Sequence, residues 1–203
     1  MVSDRMKTAY DRIAGQFAER YGSMPPFLET FTTAFLEQLP DHPTILDAGC
    51  GHGRDMEWFE EHGCSVTGID LSPEMLALAR TRTTGQLREV DLLELDFETA
   101  TFDGIWSNAA LLHIPKTRTA DVLRQFQDIL KPAGSLALGL HRGDFEGWES
   151  GTYVGTERYF SRFTEAEIES LLTACGFTIT SIQTHKAPGR DWIQLIAKNA
   201  GAA

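Results

Sequence analysis

Cysteine is scarce in this chain: Cys50, Cys64 and Cys175 stand far apart among 203 residues. None forms a C-x-x-C pair, so the spacing suggests neither a disulfide framework nor a zinc site. Reduced thiols in a cytoplasmic protein fit best. Long apolar runs are missing as well. The opening MVSDRMKTAYDR lacks the apolar stretch of a signal peptide, and no run approaches the length that spans a bilayer. Positive charge is in deficit: 18 Lys and Arg face 29 Asp and Glu, a formal net charge of -11, with no Lys/Arg cluster. A surface of that sign repels nucleic-acid phosphates and anionic lipid, so neither nucleic acid nor membrane is an expected partner. Internal repeats and low-complexity linkers are also lacking. With 42% hydrophobic residues, the chain reads as one ordered domain over residues 1–203.

What is present is an alternation. From residue 44 onward, short apolar runs alternate with helix-period segments, the mark of a doubly wound, mostly parallel α/β sheet. TILDA, CSVTGID, LREVD, FDGIWSN and SLALGL read as successive strands. Between them lie helical segments: one starting at Arg54 and stopped by Gly63, one with Ser72 as N-cap and Pro73 at its first position, and one from about Thr119, closed by Pro132. Thr164 with Glu167 makes a capping box for a later helix that Gly176 stops. FTITSIQT and DWIQLIAK flank HKAPGR, so the chain ends in an antiparallel hairpin. The expected fold is a Rossmann-like, seven-stranded sheet with helices on both faces. Residues 1–40 are expected to be helical, with Phe27, Leu28, Phe31, Phe35, Leu36 and Leu39 as one apolar stripe.

The stretch ILDAGCGHGRD carries the chemistry. A glycine turn between strand and helix lets backbone N–H groups approach a ligand at the positive end of the helix. A dinucleotide fingerprint needs G-x-G-x-x-G; here Gly49, Gly51 and Gly53 are followed by Arg54 where the last glycine should fall. Asp47, just before the loop, would repel a pyrophosphate and suits a ligand with an ammonium group. Asp70 ends the second strand, about 20 residues on, where a carboxylate accepts ribose hydroxyls. S-adenosylmethionine has an ammonium, a ribose and no phosphate.

These motifs, in order, resemble those of class I S-adenosylmethionine-dependent methyltransferases. ILDAGCGHGRD resembles the family's first motif, GIDLSPEML the second, REVDLLEL the third and FDGIWSNAALLHIP the fourth; LKPAGSLAL resembles the strand-five region. The resemblance covers nearly the whole chain and implies a set of roles. Asp47 and the backbone of Gly49, Cys50, Gly51 and Gly53 would surround the methionine portion of the cofactor. Asp70 would hold the ribose, Leu71 and Met75 would lie against the adenine, and Asp91 with Leu92 would meet its amino group. Asn108 and Ala109 would lie beneath the sulfonium, and Tyr10 and Tyr21 would close over it, with S-adenosylhomocysteine as the product.

The sulfonium is already electrophilic, so positioning is the main task and a base is needed only for a protonated nucleophile. His113 and His141, after the fourth and fifth strands, are the candidate bases. The segment 141–163 is the expected substrate loop. Its Phe145, Trp148, Tyr153 and Tyr159 offer an aromatic wall for a flat, apolar or cationic small molecule, while Asp144, Glu146 and Glu149 lean towards an amine. Phe160 and Phe163 are expected to pack a minor core, and Asp11 to be a solvated helix acid. The rival readings are another use of the same cofactor, by cyclisation or sensing, and an NAD(P)-dependent oxidoreductase.

Overall fold

The computed structural model describes residues 1–151, 153–187 and 189–201. Two helices, α1 (Val2–Tyr21) and α2 (Pro26–Leu36), precede β1 (Thr44–Ala48), α3 (Arg54–Glu61), β2 (Ser65–Asp70), α4 (Pro73–Ala79), β3 (Gln86–Glu89) and β4 (Phe102–Asn108). The second half holds α5 (Lys116–Ile129), β5 (Leu130–His141), β6 (Glu146–Ser150), β7 (Glu157–Ser161), α6 (Glu165–Ala174), β8 (Phe177–Ala187) and β9 (Arg190–Asn199). Seven strands form one sheet in the order β3-β2-β1-β4-β5-β9-β8. Neighbours from β3 to β5 are parallel, and β9 runs antiparallel to both β5 and β8. This is the doubly wound sheet with a C-terminal hairpin that the alternation implied.

Strand alternation fills both faces. Ile45 joins Phe35, Phe59 and Trp106 on one side, whereas Leu46 and Ala48 join Leu123, Phe126 and Leu136 on the other. Helix ends follow local chemistry. Ser72 accepts from the Met75 N–H at 3.1 Å with Pro73 behind it, and Thr164 and Glu167 cap α6 reciprocally, each cap contributing about 1 kcal/mol.

Three details differ from the sequence expectation. Pro132 does not stand beyond a helix as its stop. Helix α5 ends at Ile129, β5 begins at once, and Pro132 falls where the β4–β5 register jumps from Leu130 to Ser135, a break in the ladder that needs no N–H. Phe27 leaves the apolar stripe of α2 and is 44% exposed. The segment 141–163 is not an open loop, since β6 and β7 pair as a hairpin with Trp148 opposite Tyr159. Among the described residues, no helix is long and apolar enough to cross a membrane.

Candidate functional site

Strand order reverses between β1 and β4, and the crevice beyond their C-terminal ends is where open α/β sheets bind ligands. A cavity of about 760 Å³ lies there. The first four strands each deliver a polar residue to it: Asp47 from β1, Asp70 from β2, Asp91 after β3 and Asn108 from β4. Helix α1 supplies Met6, Tyr10, Phe17 and Tyr21 to the wall. The helix is tied down by Asp11, which accepts from the Ser72 hydroxyl at 2.6 Å, so Asp11 is an anchor rather than a merely solvated acid.

The acids at the strand tips differ in state. Asp70 accepts from the N–H groups of Gly51 and Ser72, both at 2.9 Å. Burial raises its carboxyl, and those bonds oppose the rise. Asp47 is 2% exposed and its Oδ2 has no partner among the described residues. Burial, then the negative charge of Asp55, pushes its carboxyl well above the usual range. Burial acts on Asp55 in the same sense but is outweighed: Arg54 pairs with it at 2.6 Å, and Trp106 Nε1 and Asn108 Nδ2 donate at 2.8 and 3.2 Å. The pair therefore favours the charged form on Asp55 and the neutral form on Asp47.

The glycine loop approaches these acids closely. Gly49 has φ +91°, and a Cβ there would stand 2.2 Å from the Cβ of Ala110. Gly53 serves packing instead. It is absent from the cavity wall, and its Cα faces Ala79 of α4, where a Cβ would meet 3.1 Å contacts. Cys50 lines the cavity, and burial raises its thiol well above the usual value, so it is inert.

Both candidate bases are committed elsewhere. His113 Nδ1 lies 2.5 Å from the Tyr159 carbonyl and its Nε2 lies 2.7 Å from the Tyr10 hydroxyl. The ring therefore donates through Nδ1 and accepts the Tyr10 proton through Nε2. Burial pushes its pKa down to about 3. His141 accepts at Nδ1 from Arg190 at 3.2 Å, and burial with the Arg190 charge pushes it down to about 2. In this arrangement both ring nitrogens of His113 and the Nδ1 of His141 are engaged by protein partners rather than open to an acceptor.

A family profile described as methyltransferase domain matches residues 45–134. Malonyl-[acyl-carrier protein] O-methyltransferase of Enterobacter lignolyticus is 31% identical over 134 residues, 64% of this chain and 53% of that protein. Phosphoethanolamine N-methyltransferase of Plasmodium falciparum is 28% identical over 69% of this chain and 55% of its own. The chain spans about half the length of these curated relatives. In fold it is similar to Burkholderia thailandensis 1,6-didemethyltoxoflavin-N1-methyltransferase, solved with 1,6-didemethyltoxoflavin and S-adenosylhomocysteine. That likeness has TM-score 0.79 at 24% identity, over 98% of this chain and 88% of the other. Over residues 45–134 the chain thus matches the methyltransferase-domain family, and its fold is shared with a solved methyltransferase.

Of the positions that the methyltransferase motifs pointed to, Tyr10, Tyr21, Asp47, Gly49, Cys50, Gly51, Asp70, Leu71, Met75, Asp91, Leu92, Asn108, Ala109, His113 and His141 all line the cavity. The four aromatics expected to form a substrate wall do not. Phe145 lies against Arg162, and Trp148 carries the Arg5 guanidinium 3.6 Å from its ring centroid. Tyr153 packs behind α1 beside Phe17, and the Tyr159 hydroxyl donates to Glu146 at 2.8 Å. The acids near them serve structure too. Glu149 holds Arg162, and Glu146 also accepts from the Lys116 N–H. Phe160 occupies the wall in their place, with Arg158, Arg190 and Trp192.

Sequence reasoning missed His52, Asp55, Arg158 and Arg190. His52 is 4% exposed and lines the cavity with Nε2 unpartnered. Burial, aided by Arg54 and Arg82, pushes it down to about 4. For Asp55 one signal was present: an acid in the first turn of a helix that directly follows a glycine loop.

Proposed function

We propose that the chain is an S-adenosylmethionine-dependent methyltransferase acting on a small-molecule acceptor. The observation that carries the reading is the pairing of Asp47, buried with an unsatisfied Oδ2, and Asp70 across the Gly49–Gly51 turn. A buried carboxyl oxygen without a partner is costly unless a ligand donor meets it, and the ammonium of a methionine moiety is such a donor, whose charge would also favour the ionised form of Asp47. Asp70 would accept ribose hydroxyls, and Asp91 with the Leu92 backbone the adenine amino group. Leu71 and Met75 would flank the ring. Asn108 and Ala109 would line the floor at the end of β4, and Tyr10 and Tyr21 the roof.

When bound, the cofactor supplies a methyl group on a positively charged sulfur. The protein's own part is orientation. Asp55 fixes the Asn108 amide, and the Tyr10–His113 contact holds α1 over the cavity as a lid. The neutral histidines act as positioning residues. Three free, buried cysteines support a reducing, cytoplasmic setting, and the net charge of -11 favours a small molecule over nucleic acid.

A second reading retains the cofactor site but uses it otherwise. The [4+2]-cyclase SpnF shares the fold with TM-score 0.80 over 98% of this chain and 97% of its own, at 17% identity, and a fold does not choose a reaction. Calorimetric titration of S-adenosylmethionine, S-adenosylhomocysteine and NADH, with Asp70→Ala as control, tests the cofactor. The first two should bind, NADH should not, and the variant should lose about tenfold or more. Binding of NADH alone would overturn the proposal in favour of an oxidoreductase. Product analysis then separates a methylated acceptor plus S-adenosylhomocysteine from a rearranged acceptor with the cofactor unchanged.

A further inference from the structure

Two guanidinium groups line the same cavity as the acids. Arg158, on β7, is 9% exposed, and Arg190 opens β9. Their neighbours are paired: Arg162 is held by both oxygens of Glu149 at 2.6 and 2.7 Å, and Arg142 by Glu165 at 2.9 Å. Among the described residues, neither Arg158 nor Arg190 forms an ion pair. Each makes one side-chain hydrogen bond, to a neutral group: Arg158 Nη1 donates to the Tyr10 hydroxyl at 3.4 Å, and Arg190 Nη1 to His141 at 3.2 Å.

The two cations flank one ring. Their guanidinium carbons lie 5.2 and 4.6 Å from the Phe160 centroid. Two partly buried cations on one ring repel each other and leave most of their donors without a protein partner among the described residues. Burial lowers the pKa of Arg190 and the charges of Arg158 and Arg162 add to that, while Glu149 opposes it. Such an arrangement is stabilised by an anion that accepts from both forks. The nearby carboxylates pair with neither cation: Glu149 holds Arg162, Glu146 accepts from Tyr159 and the Lys116 N–H, and neither lines the cavity.

We propose that Arg158 and Arg190 are a two-armed clamp for an anionic group, a carboxylate or a phosphate, on the acceptor, with Phe160 and Trp192 as the apolar wall beside it. This specifies the substrate class of the site and rests on the methyltransferase reading. It replaces the amine suggested by the acids of residues 144–149. The cavity then presents acids to a cationic cofactor and two cations to the acceptor. The clamp also fits the engagement of His113 and His141 by protein partners, since an acceptor that attacks through its own oxyanion needs no base. In that case the oxygen–methyl bond forms as the carbon–sulfur bond breaks, and the electron pair stays on sulfur.

The test uses the full chain saturated with S-adenosylhomocysteine and four probes titrated by calorimetry: benzoate, phenyl phosphate, benzamide and benzylamine. At least one anion should bind and the neutral and cationic isosteres should not; the tighter anion tells carboxylate from phosphate. Arg158→Gln and Arg190→Gln should each weaken that anion about tenfold or more, Arg190→Lys should weaken it less, and all three should bind S-adenosylhomocysteine as the parent does, which certifies the fold. Binding of benzamide or benzylamine as tight as the anions, no binding of either anion, or unchanged anion affinity in both Gln variants would overturn the clamp. Should S-adenosylhomocysteine fail to bind the parent protein, the methyltransferase reading falls, and the clamp is judged by the same anion titration without it.

Discussion

The Tyr10 hydroxyl donates to His113 Nε2 across 2.7 Å, joining the first helix to the turn after β4. With Nδ1 bound to the Tyr159 carbonyl, the imidazole has no position left for a second proton. His113 and His141, pushed down to about 3 and about 2, should therefore stay neutral across the physiological range. Proton NMR of the ring C–H signals should show no titration of either residue between about pH 5 and 8. A histidine signal assigned to 113 that moves near pH 6.5 would restore it as a candidate base. The linkage has a definite sign. Below the ordinary histidine value the unfolded chain takes up protons that these two rings refuse, so their contribution is present above about pH 6.5 and is lost as pH falls.

Asp47 works in the opposite sense. Its raised value means that the folded protein holds a proton the unfolded chain releases, so this contribution is fully present below the ordinary carboxylate range and is lost as pH rises through the folded value. Asp47→Asn should leave the ligand-free protein as stable or more stable at pH 7, and should flatten that part of the stability-versus-pH curve in urea titrations. The same variant should bind S-adenosylmethionine at least about tenfold more weakly, since a neutral amide cannot answer an ammonium. A variant that binds the cofactor as well as the parent would remove Asp47 from the site.

The lid rests on Asp11. Its carboxylate accepts from the Ser72 hydroxyl at 2.6 Å and from the Glu74 N–H at 3.4 Å. Asp11→Asn should cost the docking of α1 about 1 kcal/mol, speeding amide exchange in residues 2–21 about fivefold while leaving the central sheet unchanged. S-adenosylhomocysteine should slow exchange in the same helix. Uniform behaviour of the whole chain in both experiments would show that α1 opens only with global unfolding.

Gly49→Ala makes a steric prediction. The new Cβ would sit 2.2 Å from Ala110 on a backbone at φ +91°. The loop must shift or the protein must lose about 2 kcal/mol or more, read as a lowered urea midpoint at unchanged slope. An unchanged midpoint would mean that the loop is looser than its contacts indicate.

Local chemistry made the cofactor half of the site legible in the sequence. A strand, a glycine turn and an acid at the tip of the next strand are consecutive features, so ILDAGCGHGRD and GIDLS could be read in place. The acceptor half is assembled from distance. Arg158 and Arg190 belong to different hairpins, and nothing in RYFSRF or PGRDW tells an inward arginine from a solvated one. The aromatics of residues 145–159 misled for the same reason. Alternation within β6 and β7 sends Trp148 and Tyr159 to the outer side of the hairpin, whereas Arg158 and Phe160, on either side of Tyr159, turn to the cavity. His52 and Asp55 were visible as residue types, but their burial depends on α1 lying over them.

The position of β9 has a consequence for the order in which the protein is made. The last strand of the chain is not at the rim of the sheet but between β5 and β8, where Ser135 pairs with Lys198. Strands β1 to β5 emerge from the ribosome with one flank of β5 bare, a row of open N–H and C=O groups that only residues 190–199 can satisfy. That pairing is long-range and correspondingly slow. The nascent chain thus holds its three acids and its glycine turn well before it holds Arg190 and Trp192. The cofactor's part of the cavity is built first, Arg158 and Phe160 follow on β7, and the pair of cations is complete only when β9 brings Arg190.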